Sequence, residues 1–260
     1  MGRQIGKTAA FEHWAAGLSD KGRIRAKNED SFLIETVPGT RWGSSQLICL
    51  VADGMGGQDY GEVASQTAVA TFHRQIGYLN EVETASDWLN NATREAHTEI
   101  KRLYSALNAS NGIGSTMVVG LFINDRCFLA NVGDSRAYLL RQGTLSRLTR
   151  DHSLMEIMLK KKLIKADEVY SHPRRGEITH FLGQNDEVEA DIYQITLQAA
   201  DVILFCSDGL WEMVRDPDVA DILAANADPD QAARMLVDAA NQAGGADNIT
   251  AVVVRVLESR

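Results

Sequence analysis

Strand-like runs open and close this 260-residue chain, and the helical stretches between them come in pairs. The early strand runs are Phe32–Val37 and Gln46–Ala52, and the last is Ile249–Leu257. The first helix pair covers Glu62–Ile76 and Ser86–Leu107, where Leu89, Ala92, Ala96, Ile100, Leu103 and Leu107 recur at helical spacing. Ser86 is the candidate cap of the second helix. The later pair covers Pro217–Ala224 and Pro229–Ala243, each opening with Asp-Pro, a pattern suited to a helix start. Between the pairs lies a meander of Ser115–Ile123, Arg126–Val132 and Arg136–Arg141, with Asn124-Asp125 and Gly133-Asp134 as its turns. Strands at Asp191–Leu197 and Asp201–Ser207 follow. Strict βαβ alternation is missing, which disfavours a doubly wound parallel sheet and favours sheet on sheet with helices outside. Strands at both ends argue for one closed core, so a single domain over residues 1–260 is expected.

The stretch Asp151–His180 breaks this rhythm and reads as a short helix plus an irregular excursion. Its Lys160-Lys161-Lys162 triplet suits a solvated face or a contact with an acidic or phosphorylated partner.

Composition narrows the function classes. The net charge of −9 opposes a phosphate backbone, so nucleic acid is not an expected partner. No apolar run reaches the roughly 18 residues of a membrane span, and Arg3 and Lys7 precede no apolar stretch, so no signal peptide is expected. Cys49, Cys127 and Cys206 each sit inside an apolar run without metal-ligand spacing. They read as buried reduced thiols, which fits a cytoplasmic protein.

Chemistry enters with a repeated local pattern. Asp53, Asp134 and Asp208 each follow an apolar strand run, and Gly54 and Gly209 follow two of them. Asp247 precedes the last strand, and Glu29 and Asp30 precede the first. An acid at a strand end is commonly a turn residue or a helix cap. Antiparallel neighbours, however, bring the end of one strand beside the start of the next, so this set can gather at one rim. Clustered carboxylates repel one another, and a divalent cation removes that cost. Oxygen-only donors suit Mg²⁺ or Mn²⁺ rather than Zn²⁺. Two such ions can share a carboxylate, activate water and clamp a phosphoryl group. Arg25 is either a plain surface arginine or, beside such a phosphate, a bidentate clamp.

At these residues the chain resembles the metal-dependent type 2C serine/threonine protein phosphatases in their compact bacterial form. The matching segments are SDKGRIRAKNED (Ser19–Asp30), VADGMGG (Val51–Gly57), GSTM (Gly114–Met117), ANVGDSRAYL (Ala130–Leu139), LTRDHS (Leu148–Ser153), SDGLWE (Ser207–Glu212) and ADNITAVVV (Ala246–Val254). They occur in the family's order over nearly the whole chain. The resemblance implies an α+β fold, a central β-sandwich of two antiparallel sheets flanked by helix pairs in four αββα layers. It implies two Mn²⁺ or Mg²⁺ ions, with Asp53 bridging them. Asp208 and Asp247 complete one ion's protein ligands. Glu29 and the Gly54 carbonyl serve the other, and Asp30 orders bound water. Asp134 joins Asp208 at a third, weaker ion site. Arg25 holds the substrate phosphate, and a flap covers about 152–180. Eukaryotic members usually carry His where this chain has Met55, and Met donates no proton. His152 alone of the six histidines lies in a family motif, and it reads as structural.

The reaction implied is hydrolysis of phosphoserine and phosphothreonine in proteins by a metal-activated water, with no covalent enzyme intermediate. Arg25 and the ions neutralise the phosphoryl oxygens. The expected partners are phosphorylated proteins and an opposing bacterial serine/threonine kinase, and the expected state is a cytoplasmic monomer. Two other classes stand as alternatives. A non-catalytic binding module on this fold would lack metal acids, and every expected acid is present. A two-metal nuclease is opposed by the net charge of −9.

Overall fold

The computed structural model describes residues 2–7, 11–40, 43–56, 60–81, 83–107 and 112–258, with 2–7, 40, 43 and 44 as backbone alone. Gly57, the end of the VADGMGG segment, lies outside the described residues. The strands are β1 (Gly2–Lys7), β2 (Phe11–Asp20), β3 (Asp30–Thr40), β4 (Gly43–Gly56), β5 (Ile113–Ser115), β6 (Met117–Ile123), β7 (Arg126–Val132), β8 (Arg136–Arg141), β9 (Thr144–Arg147), β10 (Asp191–Thr196), β11 (Val202–Cys206) and β12 (Ile249–Glu258). The helices are α1 (Tyr60–Gln75), α2 (Ala85–Leu107), α3 (Leu154–Lys160), α4 (Asp208–Trp211), α5 (Asp216–Ala225) and α6 (Pro229–Gln242). Short 3₁₀ turns cover Ile76–Tyr78 and Ala166–Ser171.

All the strand pairs are antiparallel. One sheet runs β1-β2-β12-β11-β8-β9 and the other β10-β7-β6-β4-β3, with β5 beside β4. The central strands read as continuous apolar runs because both of their faces are covered. In β4, Leu47, Cys49 and Val51 point between the sheets, while Ile48, Leu50 and Ala52 point under α1 and α2. In β12, Val252, Val254 and Val256 face the other sheet, while Ile249, Ala251 and Val253 face α5 and α6. This two-period alternation makes four layers, αββα. The three cysteines are buried and free, and burial pushes their thiols up. Among the described residues no helix is long and apolar enough to cross a membrane.

Four differences from the sequence reading have local causes. Strands β1 and β2 were not anticipated, because Ala15, Ala16 and Gly17 give β2 no bulky apolar pattern. Strand β9 is mostly exposed and equally silent. Strand β4 does not stop at Ala52. It carries Asp53 in register with Asp30 of β3, and Gly54–Gly56 pair with β5. The α2 start is held by Thr84 rather than Ser86: Asp87 N donates to Thr84 Oγ1 at 3.1 Å, and Thr84 N donates to Asp87 Oδ2 at 3.2 Å.

Candidate metal centre

One rim of the sandwich collects the ends of β4, β7 and β11 and the starts of β3, β6 and β12. A cavity of about 300 Å³ opens there. Arg25, Glu29, Asp53, Gly54, Asp134, Asp208 and Asp247 line it, joined by Met55, Thr116, Asn248 and, from the excursion, Gly176 and Ile178. Asp30 is the one candidate not on this wall. It is buried beneath, where its Oδ2 accepts from Ser207 Oγ and Thr250 Oγ1, both at 2.7 Å. A larger cavity of about 730 Å³ lies at the far end of the sheet, by the Asn124-Asp125 turn. It gathers no comparable acid set.

Each acid is fixed by a specific local device. Asp53 N donates to Thr116 Oγ1 at 3.1 Å, and Thr116 N returns a bond to Asp53 O at 2.8 Å. The Glu29 segment is pinned by Asn248, whose Oδ1 accepts from Glu29 N at 2.8 Å. Asp208 opens α4, and Trp211 at the end of that helix donates from Nε1 to Asp134 O at 3.0 Å. The Trp211 ring lies under the Arg136 guanidinium, 3.5 Å from Cζ to the ring centre. Arg136 in turn bonds buried Asp151 through Nε and Nη2. A single buried network therefore holds both Asp134 and Asp208. His152 completes it structurally: Gly133 N donates to its Nδ1 at 3.3 Å, and His152 N donates to Gly133 O at 2.9 Å.

Two glycines set close approaches. A Cβ on Gly61, in the first turn of α1, would stand 2.6 Å from Glu29 Oε1 and 2.8 Å from the Gly54 carbonyl oxygen. Those two oxygens thus converge on a point that only glycine leaves open. A Cβ on Gly209 would stand 2.0 Å from Asn248 O, so the Asp208 and Asp247 turns touch through backbone.

The electrostatics match crowded acids. Burial first, then Asp30, Asp208, Asp134 and Asp247, push the Asp53 carboxyl well above its ordinary range. Burial, Asp134 and Asp247 do the same to Asp208. Burial pushes Asp30 up to about 6 and Asp134, with Asp151 adding and Arg136 opposing, up to about 7. Oδ1 of Asp208 and Oδ1 of Asp30 are buried with no hydrogen-bond partner. Arg25 Nη2 reaches Asp247 Oδ2 at 2.7 Å. Partial burial opposes its charge, but Asp247, Asp208 and Asp53 outweigh it and raise its pKa.

Among the described residues no three acid, histidine or cysteine side chains are already closed around one point. The donors line a shared wall instead. Buried oxygens without donors, mutual repulsion and an oxygen-only set fit hard divalent cations. Sequence reasoning missed Thr116, Asn248, Ser207, Thr250 and Trp211 as supports. Their only sequence signal is adjacency to an acid or membership of a matching segment.

Two antiparallel sheets between helix layers, with acids from both sheets at one rim, define an αββα fold with an oxygen-donor centre. The family model for protein phosphatase 2C matches residues 25–241, and the chain belongs to that family. It is 36% identical over 239 residues to the serine/threonine phosphatase stp of Listeria welshimeri, covering 91% of this chain and 93% of that one. The solved serine/threonine phosphatase of S. agalactiae superposes with a TM-score of 0.85 at 30% identity, covering 95% of this chain and 100% of that one. The catalytic domain of the phosphatase PstP, solved in complex with two manganese ions, gives a TM-score of 0.81 at 30% identity, covering 96% and 100%.

Proposed function

We propose that this chain removes phosphate from phosphoserine and phosphothreonine in proteins, with divalent ions held at the acid-lined rim. The observation that carries this is the meeting of Glu29, Asp53, Asp134, Asp208 and Asp247 on one wall with Arg25 at its edge. When bound, the ions supply an activated water and neutralise phosphoryl oxygens. Asp53, whose carboxyl faces Asp30, Asp208, Asp134 and Asp247, would be shared between two ions. Asp208 and Asp247 would help hold one ion, and Glu29 with the Gly54 carbonyl the other. Asp134 with Asp208 would hold a third, weaker one. The two manganese ions of the PstP domain support a pair here, and Mg²⁺ satisfies the same oxygens.

The protein's own groups do the rest. Arg25 offers a planar fork to the phosphate. Asp30, tied through Oδ2 to Ser207 and Thr250 with Oδ1 buried and unpartnered beneath the wall, would order water bound at the centre. Met55 on the wall can shape the site but gives no proton. Residues 152–180 act as a flap, contributing Gly176 and Ile178 to the wall, and residues 1–260 act as one catalytic domain. The setting we assign is a cytoplasmic monomer opposing a serine/threonine kinase.

Phosphate release from a phosphothreonine peptide tests this, run with Mn²⁺, with excess EDTA, and with Asp208→Asn. Release that needs Mn²⁺ and collapses in the variant is the expected result. A folded, Mn²⁺-binding protein that releases nothing from any phosphopeptide would overturn it.

A further inference from the structure

Beside the cavity stands a basic loop that the phosphate chemistry leaves largely unused. Residues 21–27 read Lys-Gly-Arg-Ile-Arg-Ala-Lys. The loop is built rather than slack. Asn248 Nδ2 donates to the carbonyls of Lys21 at 3.0 Å and Lys27 at 2.8 Å, closing its neck. Arg23 N and Ile24 N donate to Gly245 O at 2.8 and 3.3 Å. Gly22 N donates to Asp20 Oδ1 at 2.8 Å. The loop is thereby locked to the Asp247 turn, and Arg25 alone of its side chains reaches the cavity wall.

Its other side chains face outward. Ile24 is 73% exposed. Lys21 and Arg23 are exposed, and among the described residues neither has an acid partner. Elsewhere on the surface Arg74 pairs with Glu95, Arg102 with Glu99, Arg174 with Glu177 and Arg234 with Asp230, whereas Lys160, Lys161 and Lys162 of the excursion are also exposed and, among the described residues, without an acid partner. A chain with 35 acids and 26 bases thus keeps two unneutralised cations at the mouth of its site. An extended peptide advances about 3.3 Å per residue, so a phosphoresidue held at Arg25 brings its chain neighbours to the loop that carries Arg23 and Ile24.

We propose that this loop reads the substrate chain beside the phosphoresidue, favouring flanking acidic residues at Lys21 and Arg23, with Ile24 resting on the same segment. The proposal rests on the phosphatase reading above and adds a substrate preference to it. Rim charges of this kind act through encounter and KM and weaken with salt.

The test compares kcat/KM for two phosphothreonine peptides, alike except for Glu or Ala on both sides of the phosphothreonine. Wild type and the Lys21→Ser/Arg23→Ser double variant are measured, with p-nitrophenyl phosphate as control. Wild type should favour the Glu peptide about 3- to 10-fold at low salt, the range for two exposed pairs. That preference should shrink in high salt and fall to near unity in the double variant. Cleavage of p-nitrophenyl phosphate should not change. Ile24→Ser should lower kcat/KM on both peptides alike, independently of salt. A Glu preference that survives in the double variant, or no preference in wild type, overturns the proposal. No release from either peptide while p-nitrophenyl phosphate is cleaved would instead retire the protein-phosphatase reading.

Discussion

Replacing Asp208 with asparagine should stabilise the metal-free fold while removing its response to metal. The reason is the crowding at the rim. Asp53, Asp208, Asp30 and Asp134 all have carboxyls pushed above their ordinary value of 3.8, to about 6 for Asp30 and about 7 for Asp134. A folded-state pKa raised this way makes a contribution that is fully present below 3.8 and lost as pH rises through about 6 to 7. At pH 8 one such acid costs the fold roughly 3–4 kcal/mol. Because the acids repel as a group, removing one of them recovers part of that. The new amide also gives a donor to neighbouring carboxylates, where Asp208 Oδ1 has no partner. Urea unfolding in EDTA at pH 8 should therefore place Asp208→Asn above wild type, with the gap closing toward pH 4. Saturating Mn²⁺ should reverse the order, since a ligand at a thousand times its Kd adds about 4 kcal/mol to wild type. A variant less stable than wild type in EDTA at pH 8, or one that gains as much from Mn²⁺, would refute the reasoning.

Four further outcomes are expected. Gly61→Ala puts a methyl 2.6 Å from Glu29 Oε1 and 2.8 Å from the backbone Gly54 O; calorimetry should show weakened Mn²⁺ binding, and the melting temperature in EDTA should also fall, because the Gly54 backbone has to shift to admit the methyl. His13 is buried against Phe122 with neither ring nitrogen bonded, and burial lowers its pKa to about 4; its contribution is present above 6.5 and lost as pH falls toward 4, so wild type should lose about 2 kcal/mol from this group between pH 7.5 and 5, a loss that His13→Phe should not show in urea unfolding. Arg25→Lys keeps the charge without the fork, so KM for phosphopeptides should rise about 10-fold, with far-ultraviolet dichroism unchanged. Reversing Lys160, Lys161 and Lys162, all exposed on the excursion, should raise KM for phosphoproteins and spare p-nitrophenyl phosphate; equal effects on both would remove them from substrate guidance.

What the sequence made legible follows from where the information sits. Strands buried on both faces, such as Leu47–Ala52 and Ile249–Val254, announce themselves as unbroken apolar runs. Helix α6 shows Asp-Pro at its start, and Asp228 does cap it, accepting from Asp230 N at 2.9 Å. Strand β2 was silent because its buried residues are small on both faces: Ala15 and Gly17 lie between the sheets, Gly17 beside Phe32 and Ile34, and helix α6 packs on the strand from the other face. The α2 cap was misplaced because Thr84 and Ser86 are both capping residues, and only Asp87, three after Thr84, separates them. The acids were readable as a set since each repeats one local pattern. Their supports were not, because the partners of Asp30 lie 177 and 220 residues away in sequence.

That division has a physical basis at the rim itself. An acid cluster is unfavourable wherever it stands, so it persists only on a frame that cannot relax. The frame here consists of strand ends whose backbones are fixed by ladders on both sides: Asp53 lies in register with Asp30 on one side, and Gly54 pairs with Ser115 on the other. Neutral donors then fix individual oxygens without cancelling charge. Ser207 and Thr250 hold Asp30, Thr116 holds the Asp53 backbone, and Trp211 holds the Asp134 carbonyl. The buried cation nearest the cluster, Arg136, is committed to Asp151 and sits behind the wall. The exposed cation, Arg25, reaches only Asp247 and is half open to solvent, with 51% of its side chain exposed. A rim pair of that kind contributes little to stability, so it can yield to a phosphate without loss to the fold. Among the described residues no buried cation therefore neutralises the cluster, so its carboxyls hold their protons above the ordinary range, and a divalent cation is the partner that lets them ionise together.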